Sequence, residues 1–275
     1  MNFSGGPAES NEVSFLREML RFAVWRRYTN RAGDWPTTLS RAAPTSYNRL
    51  AMITVSKENY LKAIFEAESE GETVISATLA GWLKVTPPAV TMALRRLKRD
   101  RLVEVRKDGR VRLTDAGRRI AKRTAIRHHL IERMLHEMFE MPWYRTHDEA
   151  ERLEHAVSAD FESLLVKKLG RSGACPHGNF MTFDSPTQKS RRGYMLLSET
   201  EPGQSYIVAS VDERDSNLGE LLDKRGVRPG SELYLHERNY DQTLSLDTSA
   251  GAVVLGRPAA EKIWVSSPPA SAATR

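Results

Sequence analysis

The sequence has a single cysteine, Cys175, among its 275 residues. One thiol excludes an internal disulfide framework and fits a reducing compartment, so a cytoplasmic protein is expected. No run of about 18 apolar residues occurs, and no segment is therefore expected to span a membrane. The first residues lack an apolar stretch followed by a small-residue cleavage site, which argues against secretion. Internal repeats are missing, and so is the His-Glu-x-x-His signature of helical metallohydrolases. What remains is an ordinary globular balance, 40% hydrophobic and 28% charged, in a chain long enough for two or three domains.

The net charge of +6 is modest, but its distribution is uneven. Lys84–Arg123 holds fourteen Lys/Arg against four Asp/Glu, a local +10, whereas Glu132–Leu165 holds nine acids against three Arg, a local −6. A basic block followed by an acidic, His-containing block suggests a polyanion-binding surface beside a cation-binding one.

Punctuation divides the chain. Residues 1–51, with a Gly/Ser-rich start and Pro36 and Pro44 among many Ser/Thr, are expected to be a disordered extension, or to precede a true start at Met52. From Ser56 a helix is predicted to about Gly71, with Tyr60, Leu61, Ile64 and Phe65 at helical spacing. Ser76 is expected to cap a short helix. After a Lys84-Val85 turn, Thr86-Pro87-Pro88 opens another, with its prolines where a missing N–H costs little. Two β-like runs, Leu102–Val105 and Val111–Leu113, flank Asp108-Gly109, a hairpin signal. Thr114-Asp115 caps a long helix to about Phe139, and Thr146-His147-Asp148-Glu149 reads as a capping box. Ser158 starts a further helix closed by Gly170. Strands are predicted over 205–211, 232–237, 243–246, 252–255 and 262–265. The expected fold is mainly α with a small β part. A winged helix-turn-helix (52–114) leads to a helical dimerisation and metal-binding domain (115–170). A linker (171–191) then leads to an SH3-like β-barrel (192–265) and a polar tail (266–275).

In a winged helix-turn-helix the second helix lies in the major groove with its first turn against base edges. Thr86, Pro88, Thr91 and Met92 occupy that turn and its exposed face; such small groups suit thymine methyls or water-bridged contacts. Arg95, Arg96, Lys98 and Arg99 follow and suit phosphates, as do Arg106, Lys107 and Arg110 on the wing. Val90, Leu94 and Leu97 are core positions.

Of seven histidines, five lie between positions 128 and 155. His147, Glu151, Glu154 and His155 stand at i, i+4, i+7 and i+8, one stripe of a helix, and His128 and Glu132 stand at i and i+4 on the preceding one. A divalent transition metal needs several imidazole and carboxylate donors converging within about 2.0–2.3 Å, and two facing helices can supply them. Without a cation, clustered carboxylates repel one another. The stripe lacks a thiolate, which leans toward Mn²⁺ or Fe²⁺.

Together the segments Val55–Ile64, Val85–Thr91, His147–Ser158 and Cys175-Pro176-His177-Gly178 resemble the diphtheria toxin repressor / manganese transport regulator (DtxR/MntR) family over roughly residues 53–265. The strand-rich end resembles the FeoA-type third domain of its longer members. The resemblance implies a primary metal site at Glu151, Glu154 and His155, with Asn59 where the first helix commonly supplies Met or Asp. An asparagine amide oxygen ligates more weakly. Glu151 stands where iron sensors usually carry cysteine and manganese sensors a carboxylate, which favours Mn²⁺ over Fe²⁺. His128, Glu132 and His147 match an ancillary site, with Glu213, Asp212 or Asp215 as candidates to complete it. Lys62 falls where two-domain manganese regulators carry a glutamate, and a lysine cannot ligate there. Cys175 is read as a turn residue of the tether.

The expected function is a non-enzymatic, metal-dependent repressor binding a palindromic operator in double-stranded DNA as a homodimer and controlling metal-uptake genes. A bound metal would clamp the two domains and fix the spacing of the recognition helices. The alternatives are an iron-responsive member of the same family or a metal-independent DNA-binding protein with a degenerate site. A metallohydrolase using the same cluster would leave the basic winged helix without a purpose.

Overall fold

The computed structural model describes residues 54–268. The expectations for residues 1–51 lie outside the described residues, as does the end of the tail. The first helix, α1 (Val55–Ser69), starts one residue earlier than expected and is capped by Thr54, whose hydroxyl accepts from the Lys57 amide. It is followed by α2 (Ser76–Trp82), α3 (Pro87–Arg99) and the wing strands β1 (Val103–Val105) and β2 (Val111–Leu113). Ser76 is the first helical residue of α2 and not its cap. Between α2 and α3, Lys84 takes a left-handed conformation (φ 51°) that reverses the chain. The core of this unit is Leu61, Ile64, Leu79, Val90, Leu94, Leu97, Val103 and Val111, all at most 5% exposed. Helical spacing in the sequence implied Leu61, Ile64, Val90, Leu94 and Leu97 of this core.

Next, α4 (Asp115–Phe139) is capped by Thr114, which accepts from the Gly117 amide. It packs against α1, α5 (Thr146–Leu153) and α6 (Ala159–Leu169). Ser158 and Gly170 bound α6 as the sequence implied. The capping box at Thr146 does not form. A 3-10 turn, Trp143–Arg145, runs straight into α5, and the Thr146 hydroxyl donates to the Trp143 carbonyl (2.8 Å). α5 is also shorter than the expected stripe requires: it ends at Leu153, so Glu154 and His155 sit just past its end, in a turn.

The remaining elements are α7 (Pro186–Arg191), β3 (Tyr194–Leu196), β4 (Gln204–Val211), α8 (Ser216–Lys224), β5 (Glu232–Arg238), β6 (Leu244–Thr248), β7 (Gly251–Leu255), α9 (Arg257–Ala260) and β8 (Ile263–Ser266). The strands form one antiparallel sheet in the order β3-β8-β4-β5-β6-β7. Each predicted strand is present within a residue or two. The sheet curls around its own core but is not hydrogen-bonded into a closed barrel, since β3 and β7 remain edges among the described residues. Trp143 joins the helical part to this core: it is 6% exposed within it, and its indole N–H donates to Asp223 (2.7 Å).

Residues 171–185 are tightly held. The His177 carbonyl accepts from the Val211 amide (2.9 Å), and a Cβ at Gly178 (φ +85°) would collide with the Ala209 carbonyl. Only glycine lets this segment lie so close to β4. Phe183 packs edge-on against Phe65 of α1, with ring centroids 5.1 Å apart.

Candidate metal centre and nucleic-acid interface

The first turn of α3, opened by Pro87 and Pro88, is exposed, and Thr86, Pro88, Thr91 and Met92 all face solvent. Thr91 is partly engaged with its own helix, donating to the Pro87 carbonyl (3.1 Å). Arg95, Arg96, Lys98 and Arg99 lie exposed along the same helix, opposite the buried Val90, Leu94 and Leu97. At the wing tip Gly109 (φ +82°) makes the turn, and Arg106, Lys107 and Arg110 are exposed around it. Arg110 spends part of its charge on Asp108 (3.3 Å).

The acidic block assembles around α4. Successive turns of this helix bury His128, His129 and Glu132 at 0%, 3% and 0% exposure. His147 of α5 meets them: its Nδ1 lies 3.0 Å from His128 Nε2 and 3.6 Å from Glu132 Oε1. Glu213, in the loop between β4 and α8, comes within 3.8 Å of His147 Nδ1. His128, Glu132, His147 and Glu213 thus offer ligand atoms within 4.8 Å of one another. Asp212 and Asp215, the other two candidates, do not join: Asp212 pairs with Arg214 (3.0 Å), and Asp215 caps α8 and pairs with Lys262 (3.2 Å).

The Glu151, Glu154, His155 set lies where α5 ends against α1. His155 Nδ1 is 2.8 Å from Glu58 Oε2, and its Nε2 is 3.2 Å from Glu154 Oε1. Glu154 is 1% exposed, whereas the Glu151 side chain is 54% exposed. Lys62 lies buried among them, donating to Glu154 Oε2 (2.8 Å) and 3.7 Å from Glu151 Oε1. Its ammonium supplies the positive charge that these carboxylates require. Asn59, also on α1, buries its amide oxygen without a hydrogen-bond partner.

Electrostatics bind the cluster together. Burial works to raise the Glu132 carboxyl, but the imidazoles of His128 and His177 outweigh it and hold the group well below its usual range. Burial likewise opposes ionisation of Glu213, as does Glu132. His129, His147 and His177 nonetheless bring it down to about 2. Burial and Lys62 disfavour a charge on His128, yet Glu132 and Glu154 overcome both and raise it to about 10. In spite of these attractions, both oxygens of Glu132, His155 Nε2 and His177 Nε2 are buried without a hydrogen bond. Orphaned buried donors and acceptors of this kind are rare in folded proteins. Their chemistry, imidazole and carboxylate, is that of a transition-metal ligand set.

The sequence reading took Cys175 as a turn residue of the tether and gave His177 no part in the site. The chain does turn there, with the Gly178 amide donating to the Cys175 carbonyl (2.8 Å). The side chains, however, are buried at 4% and 1% exposure. His177 Nδ1 lies 3.3 Å from Glu132 Oε1, and Cys175 Sγ donates to Glu213 Oε2 at 3.7 Å. The signal was the Cys-x-His spacing itself.

Comparison with known proteins is consistent along the chain. Residues 52–111 match the family model of the iron dependent repressor N-terminal DNA binding domain, 114–182 its metal binding and dimerisation domain, and 195–267 the FeoA domain. The diphtheria toxin repressor of Corynebacterium diphtheriae is 38% identical over 201 residues, 68% of this chain and 87% of that protein. That of Corynebacterium jeikeium is 38% identical over 122 residues, 44% of this chain. Against the latter the chain spans about half of the relative's length, 51%. Among solved structures, a manganese-dependent transcriptional repressor in complex with manganese superposes with a TM-score of 0.67 at 31% identity, covering 77% of this chain and 100% of that one. With the winged helix, the buried His/Glu cluster and the third-domain sheet in place, this chain belongs to the iron-dependent (DtxR-type) repressor family.

Proposed function

We propose that the protein is a manganese-responsive, metal-dependent DNA-binding repressor. In this reading it acts as a homodimer on a palindromic operator and controls metal-uptake genes. The observation that carries the reading is the meeting of α1, from the DNA-binding domain, with the end of α5 at a buried group of donors. There Glu58 pairs with His155 and Lys62 with Glu154.

Glu151, Glu154 and His155, with the Asn59 amide oxygen, are the residues that would hold one cation. His128, Glu132 and His147, with Glu213 from the third domain, would hold an ancillary one. A divalent cation held there would neutralise the carboxylates and would take ligands from both domains at once. Before that, Lys62 holds Glu154, and Glu58 orients the His155 ring so that its Nε2 faces Glu154. The protein's part is to fix the position of α1, and with it α3, relative to the helical domain. Two copies then present their α3 helices at one spacing to two half-sites. Only the part of the binding energy that differs between DNA-competent and incompetent arrangements drives the response. The exposed Phe161 and Leu164 on α6, at 41% and 59% exposure, support a homodimer face in the segment that matches a dimerisation domain.

The carboxylate of Glu151 supports Mn²⁺, since hard oxygen donors suit it. Iron is the second reading, favoured by the iron-dependent repressors among the relatives. Fluorescence anisotropy on a palindromic fragment from upstream of the gene, with EDTA, Mn²⁺ or Fe²⁺, tests both. Binding that requires metal and ranks Mn²⁺ first is expected. Equally tight binding in EDTA would leave a constitutive DNA-binding protein in which Lys62 has replaced the metal.

A further inference from the structure

The loop between β4 and α8 reaches in two directions. Glu213 is drawn inward, where its carboxylate accepts from the Asn179 side-chain amide (2.9 Å) beside the buried donors. Arg214, the next residue, reaches the DNA-binding domain instead. Its guanidinium lies 3.9 Å over the Trp82 ring, and its Nη2 donates to Glu70 Oε2 (2.9 Å). Trp82 is the last residue of α2, and Glu70 is the C-cap of α1. One side chain of the third domain thus holds the ends of both helices that precede α3.

The guanidinium is oriented from its own side. Asp212 accepts from Arg214 Nε (3.1 Å), Nη2 (3.0 Å) and the backbone amide (3.0 Å). A carboxylate that takes two guanidinium N–H groups fixes the plane of the group as well as its place. The loop is anchored in turn. The Asp212 amide donates to the Lys262 carbonyl (3.0 Å), and Asp215 both caps α8 and accepts from Lys262 Nζ (3.2 Å). Across the contact, the Trp82 indole N–H donates to Glu72 Oε2 (3.2 Å), so the ring is held at its edge as well as over its face. By itself α2 is weakly held: Leu79 is its one buried residue, and neither α2 nor α3 has a side-chain cap. From Trp82 the chain passes through Leu83, the left-handed Lys84 and Val85 to Thr86, where α3 opens. A shift at the end of α2 therefore shifts the first turn of α3, the part of a recognition helix that meets base edges.

We propose that Arg214 is a positioning residue for operator binding: through Trp82 and Glu70 the third domain sets the end of α2, and with it the recognition helix α3. The inference rests on the operator-binding reading above and gives the third domain a part in it that involves no metal ligand. Base-edge contacts are directional, whereas attraction to phosphates carries no sequence information and tolerates a small shift. Loss of Arg214 therefore weakens binding to the operator and spares binding to other DNA.

Fluorescence anisotropy of the full-length protein with Mn²⁺ tests this, on the palindromic fragment from upstream of the gene and on a scrambled duplex of the same length. Arg214→Gln, verified as folded by circular dichroism, is expected to bind the operator about fivefold more weakly, the size of a lost cation–π contact. Its binding to the scrambled duplex is expected to match the wild type. Arg214→Lys, which keeps a cation for the ring, is expected to recover part of the loss. In a Trp82→Leu background, Arg214→Gln is expected to cost less than it does alone, because its partner is already gone. Unchanged operator affinity in folded Arg214→Gln overturns the inference. So does an equal loss on both duplexes, which would make Arg214 a phosphate contact, and so does full additivity with Trp82→Leu. A wild type that binds both duplexes alike overturns the operator-binding reading itself, and the inference with it.

Discussion

Replacing Lys62 by methionine separates the ammonium's structural role from its competition with a metal. The Lys62 and Glu154 side chains are 5% and 1% exposed and 2.8 Å apart, so solvent screens the pair little. Removing one partner of a buried ion pair costs about 3–5 kcal/mol, chiefly because the other charge is left uncompensated. Glu154 keeps His128 Nδ1 at 2.7 Å and His155 Nε2 at 3.2 Å, which places the loss at the lower end, about 3 kcal/mol. For a folded unit of this size each kcal/mol moves the melting temperature by about 2–4 °C, so a fall of roughly 6–12 °C is expected in chelator. With saturating Mn²⁺ the cation takes over the countercharge, and the difference from wild type shrinks. Because the competing ammonium is gone, Mn²⁺ binds up to about 100-fold more tightly, the equivalent of that energy at about 1.4 kcal/mol per decade. Thermal melts with and without Mn²⁺, together with calorimetric titration, read both effects. An equal loss of melting temperature in both conditions, with Mn²⁺ affinity unchanged or weaker, would refute the reasoning and leave Lys62 a structural residue remote from the ion.

Further expectations can be checked independently. The raised His128 pKa, about 10 in the folded chain against an ordinary 6.5, stabilises the metal-free protein fully below pH 6.5. That contribution is lost as pH rises toward 10, so melts in EDTA should show stability falling across this window, with added metal flattening the fall. Arg214 lies 3.9 Å over the Trp82 ring of α2 and pairs with Glu70, just past the end of α1, at 2.9 Å. With a third of its side chain exposed, Arg214→Ala should cost about 1 kcal/mol. Hydrogen exchange should then rise in α2, whereas no change there would mean that the third domain does not steady the DNA-binding one. On the wing, Arg106→Ala or Arg110→Ala should weaken binding to all DNA sequences alike and reduce the salt slope by about one each. A sequence-selective loss would assign them to base contact instead.

Much of this architecture was legible because it repeats locally. The amphipathic spacing of α1 and α3, the Thr114 and Ser158 caps and the Asp108-Gly109 hairpin each follow from a few adjacent residues. The helices α7 and α8, six and nine residues long, span too few turns to stand out. The capping box failed because a preceding 3-10 turn, invisible to pattern, gave the Thr146 hydroxyl a different acceptor. At the site, the helix-borne donors could be read from i, i+4 spacing, and Glu213 was among three acidic candidates. Cys175 was read as a turn residue alone and His177 was given no part, because their burial beside Glu132 and Glu213 depends on how the tether lies along β4, a long-range fact set by Gly178 and Val211. The Arg214–Trp82 contact joins residues far apart in the chain, and no local pattern announces it.

The central claim is that donors from the helical domain make DNA binding depend on metal. Glu154 tests it most directly, because it is the buried carboxylate shared by Lys62, His128 and His155. The measurement is operator affinity by fluorescence anisotropy for wild type and Glu154→Gln, each with Mn²⁺ and with EDTA, alongside circular dichroism to verify that the variant folds. The account predicts tight binding only for wild type with Mn²⁺, and weak, metal-insensitive binding for the folded variant. A folded Glu154→Gln protein that still gains affinity with Mn²⁺ as the wild type does would contradict it.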